Sequence, residues 1–139
     1  MITEKQITLI KDSWGRLIAY SEMGTTVFYP TFFELQPEVE ALFKGNTKEQ
    51  AQKLISAITL IITKLNKQDQ LKEELKWLTK RHIKYGVKVA YLDSFEKAFL
   101  VMLKTVLGNQ WTGEVMNAWT EMLHLIIQAM KEDLKELTS

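Results

Sequence analysis

The chain carries two histidines, His82 and His124, and His82 has the more suggestive setting. It stands in the run Leu78-Thr-Lys-Arg-His82-Ile-Lys-Tyr-Gly86, with Leu78 and Leu75 continuing one helical face back from it. A neutral imidazole on such a face is a good single ligand for a transition metal, provided an acceptor orients its second ring nitrogen. The Leu78 carbonyl, one helical turn earlier, can take that role. The same residue can equally be a core histidine with both nitrogens satisfied.

Two further side chains offer chemistry. Tyr29, between Phe28 and Pro30, carries an O–H that needs a partner when buried, although it also fits as a plain core tyrosine. Gln50 shares a helix face with Leu54 at i, i+4 spacing. Yet Thr47-Lys-Glu-Gln50 is also a capping box, in which Gln50 would bond back to the Thr47 amide. His124, beside Leu123 and Leu125, reads as structural. Met102, Met116, Met122 and Met130 read as adaptable core filling, and Trp119 as a core residue.

These side chains need helices to position them, and the punctuation suits helices. Two prolines and six glycines in 139 residues leave long uninterrupted stretches, and no stretch alternates as a strand would. Thr3 and Gln6 form a capping box ahead of Ile7, Ile10, Trp14, Leu17 and Ile18 on one face. Gly24 precedes a second apolar run, 27–33, where Pro30 must either kink the helix or lie in its first turn. Pro37 opens a short helical segment to Leu42-Phe43, broken at Gly45-Asn46. Thr47 caps a helix over about 48–66, with Leu54, Ala57, Ile58, Ile61 and Leu65 on its apolar face. A polar joint, 67–70, leads to the helix of His82, about 71–85, which stops at Gly86 as its C′ residue. Asp93 and Glu96 cap the next helix, which ends at Gly108. Thr112 caps the last, holding Val115, Trp119, Met122, Leu123, Ile126 and Met130. The expected fold is all-α, with six major helices plus one short one.

Composition narrows the function classes. One domain over residues 1–139 is long enough for a hydrophobic core. The formal net charge of +1 provides no global field toward nucleic acid or anionic lipid. The lack of cysteine excludes disulfides, thiolate metal sites, iron–sulfur clusters and cysteine nucleophiles. No apolar run is long enough to span a bilayer, and the N-terminus has no signal-peptide core. The expectation is a cytoplasmic monomer or small homo-oligomer with no nucleic-acid or membrane partner.

Over nearly its whole length the chain resembles a globin. It is most similar to single-domain bacterial globins and the haem domain of flavohaemoglobins, with some likeness to neuroglobin. The matching residues are Phe28-Tyr29, Pro37 followed by Phe43, Gln50 with Leu54, His82 with Tyr85-Gly-Val87, and the tail Val106-Leu-Gly, Trp111-Thr and Ala118-Trp119. Order and spacing together are more specific than any single motif, and they turn the reading of His82 toward metal ligation. The resemblance implies the globin fold around haem b, with Pro37 opening a short helix C. It implies His82 as the proximal iron ligand, and Tyr29 and Gln50 as distal residues facing bound gas. Phe28, Phe43, Lys53, Leu54, Leu78, Arg81, Tyr85, Val87 and Phe95 would complete the cofactor's surroundings. For Lys53 a solvated charge is an equal alternative.

The implied function is reversible binding of O2, with CO and NO as further ligands, at a pentacoordinate iron. The alternative is a nitric oxide dioxygenase or peroxidase-like enzyme that depends on a separate reductase. Flavohaemoglobins place a tyrosine and a glutamate around the proximal histidine. Here the matching positions hold Leu92 and Leu134, with Tyr91 one residue away. That departure, and a chain that stops at Ser139 without a fused reductase domain, weigh toward gas binding. The basic run Lys76, Lys80, Arg81, Lys84 and Lys88 contains no acid. It reads as a solvated face, with attraction of an acidic reductase as the alternative.

Overall fold

The computed structural model describes residues 2–20, 22, 24–43 and 47–138. Among the described residues there are six α-helices, α1 (Glu4–Ile18), α2 (Tyr29–Leu35), α3 (Thr47–Thr63), α4 (Gln68–Lys84), α5 (Val89–Leu107) and α6 (Gly113–Thr138). A 3-10 segment, Pro37–Leu42, forms the expected short helix between α2 and α3. Among the described residues there is no strand, and no helix is long and apolar enough to cross a membrane.

Local signals set most boundaries. The Thr3 hydroxyl accepts from the Gln6 amide while the Gln6 side chain accepts from the Thr3 amide, so the capping box at α1 is complete. The Thr112 hydroxyl accepts from the Val115 amide at 3.3 Å and caps α6. Gly86 and Gly108, both at positive φ, end α4 and α5. The Gly45-Asn46 break and the Thr47 side-chain cap lie outside the described residues.

The second apolar run resolves the placing of Pro30. Proline has no N–H, and its ring would strike the carbonyl four residues back. The backbone widens into a π turn over Gly24–Phe28, and Pro30 sits in the first turn of α2.

Four expectations need correction. The helix of His82 begins at Gln68, so residues 68–70 are its first turn and not part of a joint. Asp93 and Glu96 lie inside α5, which starts at Val89 because Tyr91 and Leu92 are already buried against the core. Asp93 instead accepts from Lys131 Nζ at 2.6 Å, tying α5 to α6. Ile18 and Met116 are exposed, because no neighbouring helix covers their faces.

The helices pack with α6 against α1, α4 and α5, and α2 against α5. Two indole N–H groups lock this arrangement. Trp119 Nε1 donates to Ser13 Oγ at 2.8 Å, and Ser13 donates in turn to the Leu9 carbonyl at 2.7 Å. Trp14 Nε1 donates to Thr59 Oγ1 at 2.8 Å, joining α1 to α3. Such partners remove the penalty of burying a polar indole edge.

Candidate functional site

His82 is held twice over by the end of α4. Its ring Nδ1 lies 2.6 Å from the Leu78 carbonyl oxygen. A carbonyl only accepts, so Nδ1 carries the proton and donates, and the lone pair is left on Nε2. Its own carbonyl accepts from the Val87 amide at 3.0 Å, while the Gly86 amide donates to the Ile83 carbonyl at 3.0 Å. Those two bonds form a Schellman motif, with Gly86 at φ +85 as its left-handed residue. Burial pushes the imidazole below its usual range. The Leu78 bond opposes that shift and the Arg81 charge adds to it. The ring is therefore neutral at pH 7, the form that ligates metals.

Tyr29 opens α2 and is 4% exposed. Its ring lies edge-on to Phe28 and Phe43, at centroid distances of 4.9 and 5.4 Å. Among the described residues its hydroxyl meets no hydrogen-bond partner. Burial pushes the phenol up to about 12, so it remains an O–H donor throughout the neutral range. Phe28 is enclosed by Phe95 and Phe99, and Phe43 packs on Phe33 and Phe32. Gln50 is half-buried on the first turn of α3, and its amide also meets no partner among the described residues.

A cleft of about 570 Å³ separates α3 from α4. Of the residues singled out from the sequence, Lys53, Leu78, Arg81 and Tyr85 line it. His82, Tyr29, Gln50, Leu54, Phe28, Phe43, Val87 and Phe95 do not. Glu49, Gln52, Ser56, Leu60 and Glu74 also line it and were not anticipated, and Ala57, expected on the apolar face of its helix, lines it too. The i, i+4 spacing of Gln52 with Ser56 and of Ser56 with Leu60 places them on one stripe of α3. That stripe was readable, but which helix would face it was not. Tyr29 and Leu54 meet instead at a void of about 20 Å³, together with Trp14, Leu17, Ala51, Ile55, Phe99 and Met102. Residues of α1, α3 and α5 wall this void together with Tyr29.

His124 is exposed on α6. Leu92 and Leu134 are both buried, as is Tyr91. Among the described residues no cluster of histidine and carboxylate side chains is spaced to hold a metal ion by itself. Any metal at His82 would need most of its ligands from a cofactor.

Comparison with known proteins agrees with this helical arrangement. The chain is 27% identical over 138 residues to flavohemoprotein B of Dictyostelium discoideum, covering 99% of this chain and 33% of that protein. It is 27% identical to neuroglobin-2 of Oncorhynchus mykiss, covering 93% and 90% of the two chains. An uncharacterized globin-like protein of Aquifex aeolicus is 25% identical, covering 100% of this chain and 99% of its own length. The chain thus spans about a third of the flavohemoprotein and nearly all of the other two. The Globin family model matches residues 26–130, a span that contains Tyr29, Gln50 and His82, and the chain belongs to the globin family.

Proposed function

We propose that this protein binds haem b through His82 and reversibly holds a diatomic gas, O2 foremost, near Tyr29 and Gln50. The observation that carries this reading is the 2.6 Å bond from His82 Nδ1 to the Leu78 carbonyl. It selects the tautomer whose Nε2 lone pair is free for iron. The other residues fit the group. The cleft of about 570 Å³, which His82 adjoins through Leu78, Arg81 and Tyr85 without lining it, is within the range of cofactor pockets, about 300–1,000 Å³. Lys53, Arg81 and Tyr85 on its wall are donors suited to the cofactor's carboxylates. The name of one relative, flavohemoprotein, states a haem protein.

When bound, the cofactor would supply an iron able to take up a diatomic gas. The chain's own residues tune what happens there. The Tyr29 phenol, uncommitted to protein partners, donates to a ligand that carries partial negative charge. Gln50 provides a second donor from α3. The acceptor that orients His82 is a neutral carbonyl. A carboxylate in that place would make the ring a stronger electron donor, as oxidative turnover requires. The carbonyl therefore favours reversible binding of gas.

Visible absorption spectra of the purified protein, oxidised, reduced and with CO, test the proposal. The expected outcome is a haem spectrum that shifts with CO, and its loss in His82→Ala. A colourless protein that takes up no added haemin overturns it, and an unchanged spectrum in His82→Ala means a different ligand.

A further inference from the structure

One face of α4 is basic, aromatic and open. Trp77 and Tyr85 are each 61% exposed, although residues of this kind are usually at least half-covered. Between and beyond them lie Lys80, Arg81, Lys84 and Lys88, all exposed. Lys80 Nζ stands over the Trp77 ring, 5.6 Å from its centre, in a cation–π contact. Spacings of three and four residues among 77, 80, 81 and 84 keep these side chains on adjoining stripes of α4, and Lys88 follows just past the Gly86 turn, at the start of α5.

The charge of this face is not neutralised locally. No acidic residue occurs from Leu75 through Leu92. Lys76, at the near end, pairs with Glu136 of α6 at 3.7 Å, and Lys64 pairs with Glu74 at 3.9 Å. Among the described residues no carboxylate pairs with Lys80, Arg81, Lys84 or Lys88. With a net charge of only +1, this concentration is an asymmetry of one face and not a property of the whole chain.

The face also adjoins the cleft. Arg81 and Tyr85 belong to both, and His82 is the next residue after Arg81. We infer that the exposed surface formed by Trp77, Lys80 and Lys84 of α4, with Lys88 in the turn that follows, is a docking surface for a small acidic electron-donor protein. The inference rests on the haem reading above, which makes reduction of ferric iron a need of the site. One electron leaves the donor's reduced flavin and enters that iron, with no proton or group moving with it. A single helix face is the size expected of weak electron-transfer encounters, whose interfaces are among the smallest. Lysines steer the approach over long range, and a rigid exposed indole supplies short-range contact.

Binding of the purified full chain to an acidic flavodoxin, measured by calorimetry, tests the inference. Parent protein is expected to bind at ~0.01 M ionic strength and to lose at least about tenfold in affinity at ~0.15 M. Lys80→Glu/Lys84→Glu/Lys88→Glu should lose at least about tenfold at low salt. Lys11→Glu/Lys97→Glu/Lys104→Glu, an equal charge change on α1 and α5, should stay within about threefold of the parent. Trp77→Ala should weaken binding to a similar degree at both salt concentrations. Equal losses in the two triple variants, or no binding by the parent, overturn the inference. So does binding to phosphatidylserine vesicles without binding to flavodoxin, which would make the face a membrane contact. Colour and haemin uptake are read on the same samples. A colourless protein that still binds flavodoxin through α4 refutes the haem reading and leaves the docking surface standing.

Discussion

Tyr29 is the side chain whose substitution reads the distal chemistry most directly. It is buried, its phenol is uncommitted, and a hydrogen bond to a charged or strongly polar group contributes about 1.5–3 kcal/mol. Tyr29→Phe is therefore expected to speed O2 dissociation by about ten- to a hundredfold, with a smaller change for CO, in flash-photolysis and stopped-flow measurements. Equal O2 rates in the two proteins would remove Tyr29 from the site. The same residue sets an alkaline limit. Its phenol titrates at about 12 in the folded chain and at 10.0 in the unfolded one, so the folded state holds the extra proton between those values. Stability is complete below pH 10 and falls as pH rises toward 12, by about 2–3 kcal/mol in all. Urea unfolding across that range should show the loss in the parent and a shallower one in Tyr29→Phe.

At the scale of the element, the end of α4 matters most, because the Schellman turn fixes the backbone from which His82 projects. Gly86 has φ +85 and open space around the position of a Cβ. Alanine there meets no clash, but it must hold a left-handed backbone at a cost of about 1–2 kcal/mol. Gly15, in mid-α1, is also open but has an ordinary φ, so Gly15→Ala should add about 0.5–1 kcal/mol of stability. Denaturant midpoints of opposite shift in these two variants would verify both assignments, and Gly86→Ala should also retain haemin less well. Many helix ends were legible from sequence for the same reason that these predictions can be made. Thr3 with Gln6, Thr112, Gly86 and Gly108 act within a few residues of themselves. Asp93 and Glu96 look just as much like a helix start, but buried Tyr91 and Leu92 draw the helix back to Val89.

For the molecule as a whole, the join of α1 to α6 carries a buried polar link of consequence. Ser13 and Trp119 are both fully buried and bonded at 2.8 Å. Ser13→Ala strands the indole N–H and should cost about 1–3 kcal/mol in equilibrium unfolding. Adding Trp119→Phe removes the stranded donor, so the double variant should be less destabilised than the sum of the two single ones. Strict additivity would mean the bond contributes nothing to the packing of the two helices.

The sequence by itself determined that the chain is all-helical, where most of its helices stop, and which acceptor His82 would find. Each of these depends on spacing of three or four residues along one helix, or on a glycine that alone tolerates a left-handed turn. Only the tertiary structure decided the rest. Pro30 left two courses open for Tyr29, and the π turn ahead of α2 chose between them by widening the backbone where a bond could not form. Gln52, Ser56 and Glu74 became cleft residues because α3 and α4 stand apart there, while Ile18 and Met116 stayed exposed because no helix covers them. Periodicity states which side chains share a face. It cannot state what that face will meet, since this is settled by contacts between residues far apart in the chain.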